Sequence, residues 1–226
     1  MRAIRTSTDT SSDEHVFTDG DVLGSVTDPY EHLGSDQYMG PLVERYGRLE
    51  LDPADDMFRR LVVSVLRQQV SMASAEATRQ RLFEAVEITP EGILESDPET
   101  LRDCGLSRQK AGYVRNIAEA FETKYSREYF EDLDDDAVIA ELTTIKGVGE
   151  WTARMQLLFS LGRPDVFPVG DLGVRKGMVA LFDEEMSREE MCERATRWKP
   201  YRSYATLYLW RLDEDVAEVM DEVSNG

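Results

Sequence analysis

The 226-residue sequence predicts an all-α fold made of two helical lobes. Beyond residue 35, apolar residues recur three and four positions apart, which is the spacing of a one-sided helix. Capping residues followed by proline mark several helix starts, and no segment shows the period-two alternation of a half-buried strand. No internal repeat and no long linker divides the sequence into independent folding units.

The first strongly periodic segment is LDPADDMFRRLVVSVLRQQVS, at residues 51–71. Asp52 is the predicted N-cap and Pro53 the first helical residue, because proline there gives up no hydrogen bond. A second helix is predicted in SMASAEATRQRLFEAV. The side chains expected to face the core of these two helices are Phe58, Leu61, Val62, Val65, Leu66, Leu82, Phe83 and Val86.

Shorter helices follow, each with its own start signal. Thr89-Pro90 and Asp97-Pro98 are cap–proline pairs, Gly105 ends the second of these helices, and Ser107 caps the next one. Ser187 and Glu190 have the spacing of a capping box. The remaining predicted helices are RQKAGYVRNIAEAF, DDDAVIAELTTI, EWTARMQLLFSL, DLGVRKGMVALF, REEMCERATRW and YRSYATLYLWRL.

The composition is strongly acidic, with a net charge of −19. Such a surface repels nucleic acids and membranes in dilute buffer. In molar salt, however, the Debye length falls to about 3 Å, so the same composition also fits adaptation to a salt-rich cytoplasm. The charge therefore does not exclude a polyanionic substrate.

Cysteine content and hydropathy exclude other classes. Cys104 and Cys192 are too few for a disulfide framework or a cysteine-rich zinc or iron–sulfur site. No apolar run approaches the roughly 18 residues of a membrane span. We expect an intracellular protein with a polar, mobile arm at residues 1–35, a folded domain at 36–213 and an acidic tail at 214–226.

The segment LTTIKGVGEWTARM contains a candidate helix–hairpin–helix motif at Gly147, Val148 and Gly149. Glycine allows a sharp turn and lets a ligand approach the backbone closely. The amides that open the following helix, with the positive end of its dipole, would bind a phosphate without lysine. A simpler interpretation is that the glycines only close a short connection between helices.

Asp171 follows the loop RPDVFPVG and precedes a helical run. Aspartate is a favoured N-cap, and capping is the simpler role for this residue. A carboxylate at a helix N-terminus can also face a positive charge that develops in a substrate. Capping and catalysis are compatible at this position.

These residues resemble the helix–hairpin–helix, Gly/Pro…Asp superfamily of DNA glycosylases, and in particular its 3-methyladenine DNA glycosylase II branch. The hairpin is IKGVGEWTA, and the Gly/Pro-rich loop with its aspartate is VFPVGDL. Four more segments resemble that branch in the same order along the chain, so the resemblance spans about Asp36 to Leu212. They are YMGPLVERYGRLEL, LVVSVLRQQVSMASA, LRDCGLSRQKAGYVRNIA and RWKPYRSYATLYLW.

The resemblance implies a DNA- and base-binding cleft between the two lobes and assigns roles to individual residues. Asp171 would be catalytic, stabilising a cationic sugar and positioning water. Trp151, Met155 and Trp210 would form the base pocket, although core packing is an alternative for each. Gln69, with Gln68 beside it, would fill the gap left by an extruded base, unless the pair is simply a solvated helix face. Gly147, Val148, Gly149, Arg175 and Lys176 would contact DNA, with Arg154 and Arg202 gathered nearby.

The implied substrate is double-stranded DNA with alkylated, cationic purines, handled by a monomer that needs no cofactor and binds no catalytic metal. Relatives that also cut the backbone carry a lysine where this chain has Trp151, and neither Lys146 nor Lys176 matches that position. With Cys192 alone near the C-terminus, no iron–sulfur cluster is expected. A structural Na⁺ or K⁺ at the hairpin is common in the superfamily. Three alternatives stay open: another damaged or mismatched base, a non-catalytic DNA-binding module, and a protein-interaction scaffold.

Overall fold

The computed structural model describes residues 28–225, with side chains described through residue 215. Within that range the secondary structure is entirely helical, as predicted, and no helix is both long and apolar enough to cross a bilayer. The helices before the hairpin are α1 (Pro29–Gly34), α2 (Met39–Tyr46), α3 (Met57–Arg67), α4 (Met72–Ala85), α5 (Pro90–Glu95), α6 (Pro98–Asp103), α7 (Arg108–Thr123), α8 (Arg127–Glu131) and α9 (Asp135–Thr143). Those after it are α10 (Glu150–Phe159), α11 (Leu172–Phe182), α12 (Arg188–Arg194), a 3₁₀ turn (Ala195–Trp198) and α13 (Arg202–Asn225).

Two buried hydrophobic clusters correspond to the two predicted lobes. The larger one is built from α3 to α10 and includes Leu61, Ile117 and Leu158. The smaller one joins α1 and α2 to α11, α12 and α13, so the first helices of the described chain pack with the last ones. Trp210 packs against both clusters, which places this side chain where the lobes meet.

Local start signals decide most helix boundaries. The predicted caps Thr89, Asp97 and Ser107 each accept a backbone N–H of the first turn that follows. Gly105 follows α6 with a φ of 101°, a conformation that disfavours other residues. The capping box of Ser187 and Glu190 is formed with both of its hydrogen bonds. These predictions are confirmed.

The predicted start of the first periodic helix was wrong. Asp56, rather than Asp52, caps α3 by accepting the N–H of Arg59 at 2.8 Å. The segment that contains Pro53 is not helical, because the Ala54 N–H donates to the carbonyl of Phe159 at 2.7 Å. Tertiary pairing to α10 therefore overrides the local cap–proline signal.

Core predictions for α3 and α4 hold except at one position. The predicted apolar face of α3 is buried, as are Leu82 and Val86. Phe83 is only partly buried, because its ring supports two guanidinium groups, those of Arg59 and Arg79, at 4.4 and 5.2 Å. This aromatic residue thus belongs to the wall of a surface groove.

The predicted domain boundaries need adjustment at both ends. The folded part begins before residue 36, since α1 is helical and its Leu33 is fully buried. At the other end α13 continues to Asn225, so the predicted tail at 214–226 begins inside a helix. Of the arm predicted to be mobile at residues 1–35, residues 1–27 lie outside the described residues, so their mobility stays a prediction.

Candidate active site

The GVG segment forms the predicted hairpin between α9 and α10. Gly147 has a φ of 112°, and a Cβ atom built there would lie 2.4 Å from Cγ of Tyr113. Both the backbone conformation and the contact with the ring require glycine. The hairpin is thus pressed against α7 on its inner side.

The outer side of the hairpin leaves amide groups free for a ligand. Gly149 is the N-cap residue of α10, and no side chain accepts a hydrogen bond from the first turn of that helix. All the other helices from α3 to α12 have an N-cap side chain that accepts a hydrogen bond, and α10 does not. A Cβ atom at Gly149 would meet nothing within 4 Å. An external acceptor such as a phosphate can therefore reach these amides.

Asp171 is held at the start of α11 by hydrogen bonds from both sides. Its Oδ1 accepts the Val174 N–H at 3.1 Å, which confirms the predicted N-cap. The same oxygen accepts from Nε1 of Trp210 at 2.9 Å. Oδ2 accepts from Nε1 of Trp151, also at 2.9 Å. Three N–H donors therefore fix the orientation of one carboxylate, and two of them belong to predicted pocket residues.

The two indoles differ in exposure and support. Trp151, on the first turn of α10, keeps 42% of its surface exposed. Trp210, on α13, is partly buried and stacks on Phe159 with ring centroids 5.6 Å apart and an interplanar angle of 15°. An exposed large aromatic ring beside a carboxylate is available to a ligand. Trp151 is therefore the stronger candidate for direct base contact.

Met155 lies elsewhere. Its side chain is only 6% exposed and belongs to the larger hydrophobic cluster. Of the two interpretations considered from sequence, core filling describes this placement directly. Its assignment to the pocket stays a prediction. Trp198 and Tyr201, in the segment RWKPYRSYATLYLW, are also buried.

The Gln68–Gln69 turn lies beside the hairpin. Gln68 donates from Nε2 to the carbonyl of Gly147 at 3.1 Å and so ties α3 to the hairpin, while DNA contact by Gln68 stays a prediction. Gln69 is exposed and has a φ of 55°, a left-handed conformation that costs energy outside glycine and asparagine. Strain of this kind at an exposed polar tip is typical of functional turns.

Lys110 stabilises the same turn from α7. Its Nζ donates to the carbonyl of Leu66 at 2.7 Å, in the last turn of α3, where a cation is favoured by the helix dipole. Burial lowers the pKa of the Lys110 ammonium group. The end of α3 that presents Gln69 is therefore fixed by two tertiary hydrogen bonds, from Lys110 and from Gln68.

The predicted cluster of basic residues is mostly engaged with carboxylates. Arg154 pairs with Glu150 at 2.9 Å, and Arg202 pairs with Asp165 at 2.7 Å. The Lys176 ammonium lies 3.9 Å from Asp213. The acidic composition thus supplies a carboxylate partner close to each of these three cations, and the predicted gathering of Arg154 and Arg202 beside the hairpin stays a prediction. Arg175 has no ion pair with a described residue, and DNA contact by Arg175 and Lys176 stays a prediction.

Several residues of the site could not be found from sequence patterns. Tyr113 packs on Gly147, and Asn116 donates from Nδ2 to the carbonyl of Lys146 at 3.0 Å. Phe159 supports Trp210. Each of these side chains acts through a tertiary contact between helices distant in sequence. Their spacing along the chain carries no signal of it.

The chain is similar to known proteins over most of its length. Residues 62–201, more than half of the chain, match the family described as HhH-GPD superfamily base excision DNA repair protein. YfjP of Bacillus subtilis is 31% identical over 196 residues, a match that covers 80% of this chain and 62% of YfjP. The chain thus spans somewhat less than two thirds of that relative.

Two solved structures share the fold over nearly their whole length. The DNA-3-methyladenine glycosidase of Bacillus halodurans aligns with a TM-score of 0.77 and 32% identity, over 85% of this chain and 92% of that one. The 3-methyladenine DNA glycosylase Mag1 of Schizosaccharomyces pombe, in complex with abasic DNA, aligns with a TM-score of 0.71 and 31% identity. This alignment covers 81% of this chain and 95% of the Mag1 chain. The chain with the glycine hairpin and the indole-bound Asp171 therefore belongs to the HhH-GPD superfamily of base excision DNA repair proteins.

Proposed function

We propose that this protein is a DNA N-glycosylase that releases alkylated, cationic purines, such as 3-methyladenine and 7-methylguanine, from double-stranded DNA. The observation that carries the proposal is the convergence of two indoles on Asp171 beside an uncapped helix N-terminus. The names of the two aligned structures, a 3-methyladenine DNA glycosylase and a DNA-3-methyladenine glycosidase, support the same substrate class.

The geometry supports a mechanism based on charge. The free amides of the hairpin hold a backbone phosphate, and the damaged nucleotide is extruded from the stack, which costs a few kcal/mol. An exposed indole attracts a cationic base by about 0.5–2 kcal/mol. As the bond between C1′ and the base nitrogen lengthens, the Asp171 carboxylate stabilises the positive sugar and orients the attacking water. A base that already carries positive charge leaves without a strong general acid.

The proposal includes a monofunctional enzyme that leaves an abasic site. Attack on the sugar by the enzyme would require an amine close to Asp171. The position that holds a lysine in backbone-cutting relatives is Trp151 in this chain, and its indole nitrogen is not nucleophilic. The ammonium of Lys176 lies next to Asp213 instead. Hydrolysis by water is then the available reaction.

No cofactor is needed for this chemistry, and we keep a hairpin Na⁺ or K⁺ as part of the proposal. The carbonyl oxygens of Lys146 and Gly147 each accept one side-chain amide. Because a carbonyl has two lone pairs, both oxygens retain capacity for a weakly bound cation. We also propose a monomer that works on DNA inside the cell, in a salt-rich cytoplasm that would screen its acidic surface.

The activity is tested by incubating the protein with methylated duplex DNA over a range of salt concentrations. We expect release of free 3-methyladenine or 7-methylguanine, with strand breaks only after alkali. Duplexes with uracil or 8-oxoguanine serve as the arm for neutral bases. If base were released only from the uracil or 8-oxoguanine duplexes, the substrates would be neutral damaged bases rather than alkylated purines. DNA binding without any base release would favour the non-catalytic DNA-binding module.

Substitution of Trp151 tests the aromatic face. We expect Trp151→Ala to lower kcat/KM on methylated DNA by about 2- to 30-fold, which corresponds to the cation–π contribution. Trp151→Phe keeps a ring and loses only the N–H donor to Asp171, so its loss should be smaller. Both variants are measured in single-turnover base release. Equal losses would show that the hydrogen bond from Trp151 to Asp171 matters, and not the contact of the aromatic ring with the base.

Substitution of Gln69 tests the proposed filling of the duplex gap. Gln69→Ala should lower base release from duplex DNA by roughly ten- to a hundredfold, and much less from single-stranded DNA, where no stack has to be broken. Gln80→Ala, at an exposed glutamine on α4, is the control for a general effect of the substitution. An equal loss on both DNA forms would assign Gln69 to another step.

A further inference from the structure

The groove between α3 and α4 contains arginines that the proposed function does not use. It has a volume of about 570 Å³ and lies outside the indole–carboxylate site. Arg60, Ser64 and Arg67 follow each other along α3 at helical spacing, on the face that borders the groove. Arg59 and Arg79 line the groove as well, and the Phe83 ring supports their guanidinium groups.

Three of these guanidinium groups bind no carboxylate directly among the described residues, although the charge of Arg67 contributes to the lowered pKa of Glu76, the carboxylate that Arg79 binds. Among the described residues, Arg59, Arg60 and Arg67 form no ion pair, although acidic side chains far outnumber basic ones. Arg154 and Arg202, by contrast, are both paired with carboxylates. A set of unpaired arginines on one surface is available to bind an external anion through charge-assisted hydrogen bonds.

The carboxylates in the groove do not neutralise this set. Asp55, Asp56 and Glu76 line the groove together with the arginines. The Asp56 carboxylate is engaged as the N-cap of α3, where it accepts the Arg59 N–H. The Glu76 carboxylate accepts two hydrogen bonds from Arg79. Asp55 and Asp56 keep their negative charges, so the four arginines of the groove face three carboxylates and one positive charge remains in excess.

Arg60 is the most constrained member of the set. Its guanidinium carbon lies 4.5 Å from the centroid of the Phe159 ring, and the side chain is partly buried. Burial lowers the pKa of Arg60, and the positive charge of Arg67 lowers it further. A desolvated cation beside a second cation is electrostatically unfavourable, and a bound anion would relieve this cost.

Two contacts connect the groove to the candidate active site. Phe159, which carries Arg60 on its ring, stacks on Trp210, and the Trp210 indole donates to Asp171. Arg67 directly precedes Gln68, which hydrogen-bonds the hairpin. The groove therefore adjoins the aromatic pair behind Asp171 at one end and the turn that contacts the hairpin at the other.

We propose that the groove is a second phosphate-binding site, in which Arg60 and Arg67 hold phosphodiester oxygens of the DNA whose damaged nucleotide occupies the candidate active site. Guanidinium groups suit this role because their planar donors match two phosphate oxygens at once. The proposal rests on the proposed function only in taking DNA as the ligand. It extends the DNA contact from the hairpin onto α3 and α4.

The test measures binding of a short, undamaged, fluorescein-labelled duplex by anisotropy at several salt concentrations. Arg67→Gln and Arg60→Gln should each weaken binding by about three- to tenfold and reduce the slope of log K against log salt by about 0.9. Arg188→Gln, at an exposed arginine of α12 without an ion pair to a described residue, makes the same charge change far along the chain and should leave both quantities unchanged. Identical affinity and slope in Arg67→Gln and Arg188→Gln would overturn the proposal.

Two further readouts separate the remaining explanations. Arg67 is exposed, so Arg67→Gln should melt at the parent temperature, and its result stands even if Arg60→Gln is unstable. If inorganic phosphate raises the melting temperature of the parent but not of Arg67→Gln while DNA binding is unaffected, the groove holds a free anion and the DNA assignment is wrong. Loss of DNA affinity in a protein that releases no base would uphold the groove and overturn the proposed function instead.

Discussion

Asp171→Asn should abolish most base release from methylated DNA, with a loss of at least about a hundredfold in the single-turnover rate. The substitution removes the negative charge that faces the developing positive charge on the sugar. Asparagine also has one acceptor oxygen, whereas Asp171 uses two oxygens to accept from Trp151, Trp210 and Val174. DNA affinity should be unchanged or higher, because a carboxylate no longer repels the backbone.

The structural cost of this change should be modest, which makes the result interpretable. The amide oxygen of asparagine can still cap α11 at the Val174 N–H, and asparagine is as good an N-cap as aspartate. The melting temperature should therefore fall by only a few degrees. If the variant folds, binds DNA and still releases base at the parent rate, Asp171 is a cap alone and the proposed mechanism fails.

The outcome for Asp171 shows why part of the site was accessible from sequence. Its role as an N-cap follows from local chemistry, a short acceptor before a helical run, and the structure confirms that role. The glycines of the hairpin were accessible for the same reason, since a positive φ at Gly147 is a local requirement. Features set by a few neighbouring residues can be predicted from those residues.

Other features depend on contacts that no local pattern encodes. Asp52 and Asp56 are both good caps, and the choice between them is made by a hydrogen bond from Ala54 to Phe159, about a hundred residues away in sequence. Phe159 likewise links Arg60 to Trp210 only because α3, α10 and α13 meet in space. The positive groove and the support of the indole could be predicted only once the lobes had been assembled.

The pairing of basic residues illustrates the same limit for electrostatics. Counting arginines near the hairpin predicted a basic cluster that included Arg154 and Arg202, yet both are neutralised by nearby carboxylates. In an acidic chain the informative quantity is which cations remain unpaired, and this depends on side-chain geometry. The unpaired groups of α3 were invisible as a functional feature in the sequence.

Gly147→Ala should destabilise the protein severely, by about 2–6 kcal/mol, because two penalties add. A φ of 112° is unfavourable for any residue with a side chain, and the added Cβ would lie 2.4 Å from Cγ of Tyr113. In a protein of this size, thermal melting should report a drop of roughly 5–20 °C. An unchanged melting temperature would mean that the hairpin adopts a different backbone conformation and that Tyr113 does not pack on it.

Gly149→Ala is the matched control, two residues away on the other side of the hairpin. Its φ of −96° and ψ of 171° suit alanine, and the new Cβ would meet nothing within 4 Å, so stability should be unchanged or slightly higher. The same methyl group would project beside the uncapped amides of α10. If those amides hold a phosphate, Gly149→Ala should bind duplex DNA about tenfold more weakly while melting like the parent, because a close, charge-assisted contact is blocked. Parent-like affinity in this well-folded variant would show that the phosphate does not approach the hairpin, and the glycine pair would then serve only to close the turn between α9 and α10.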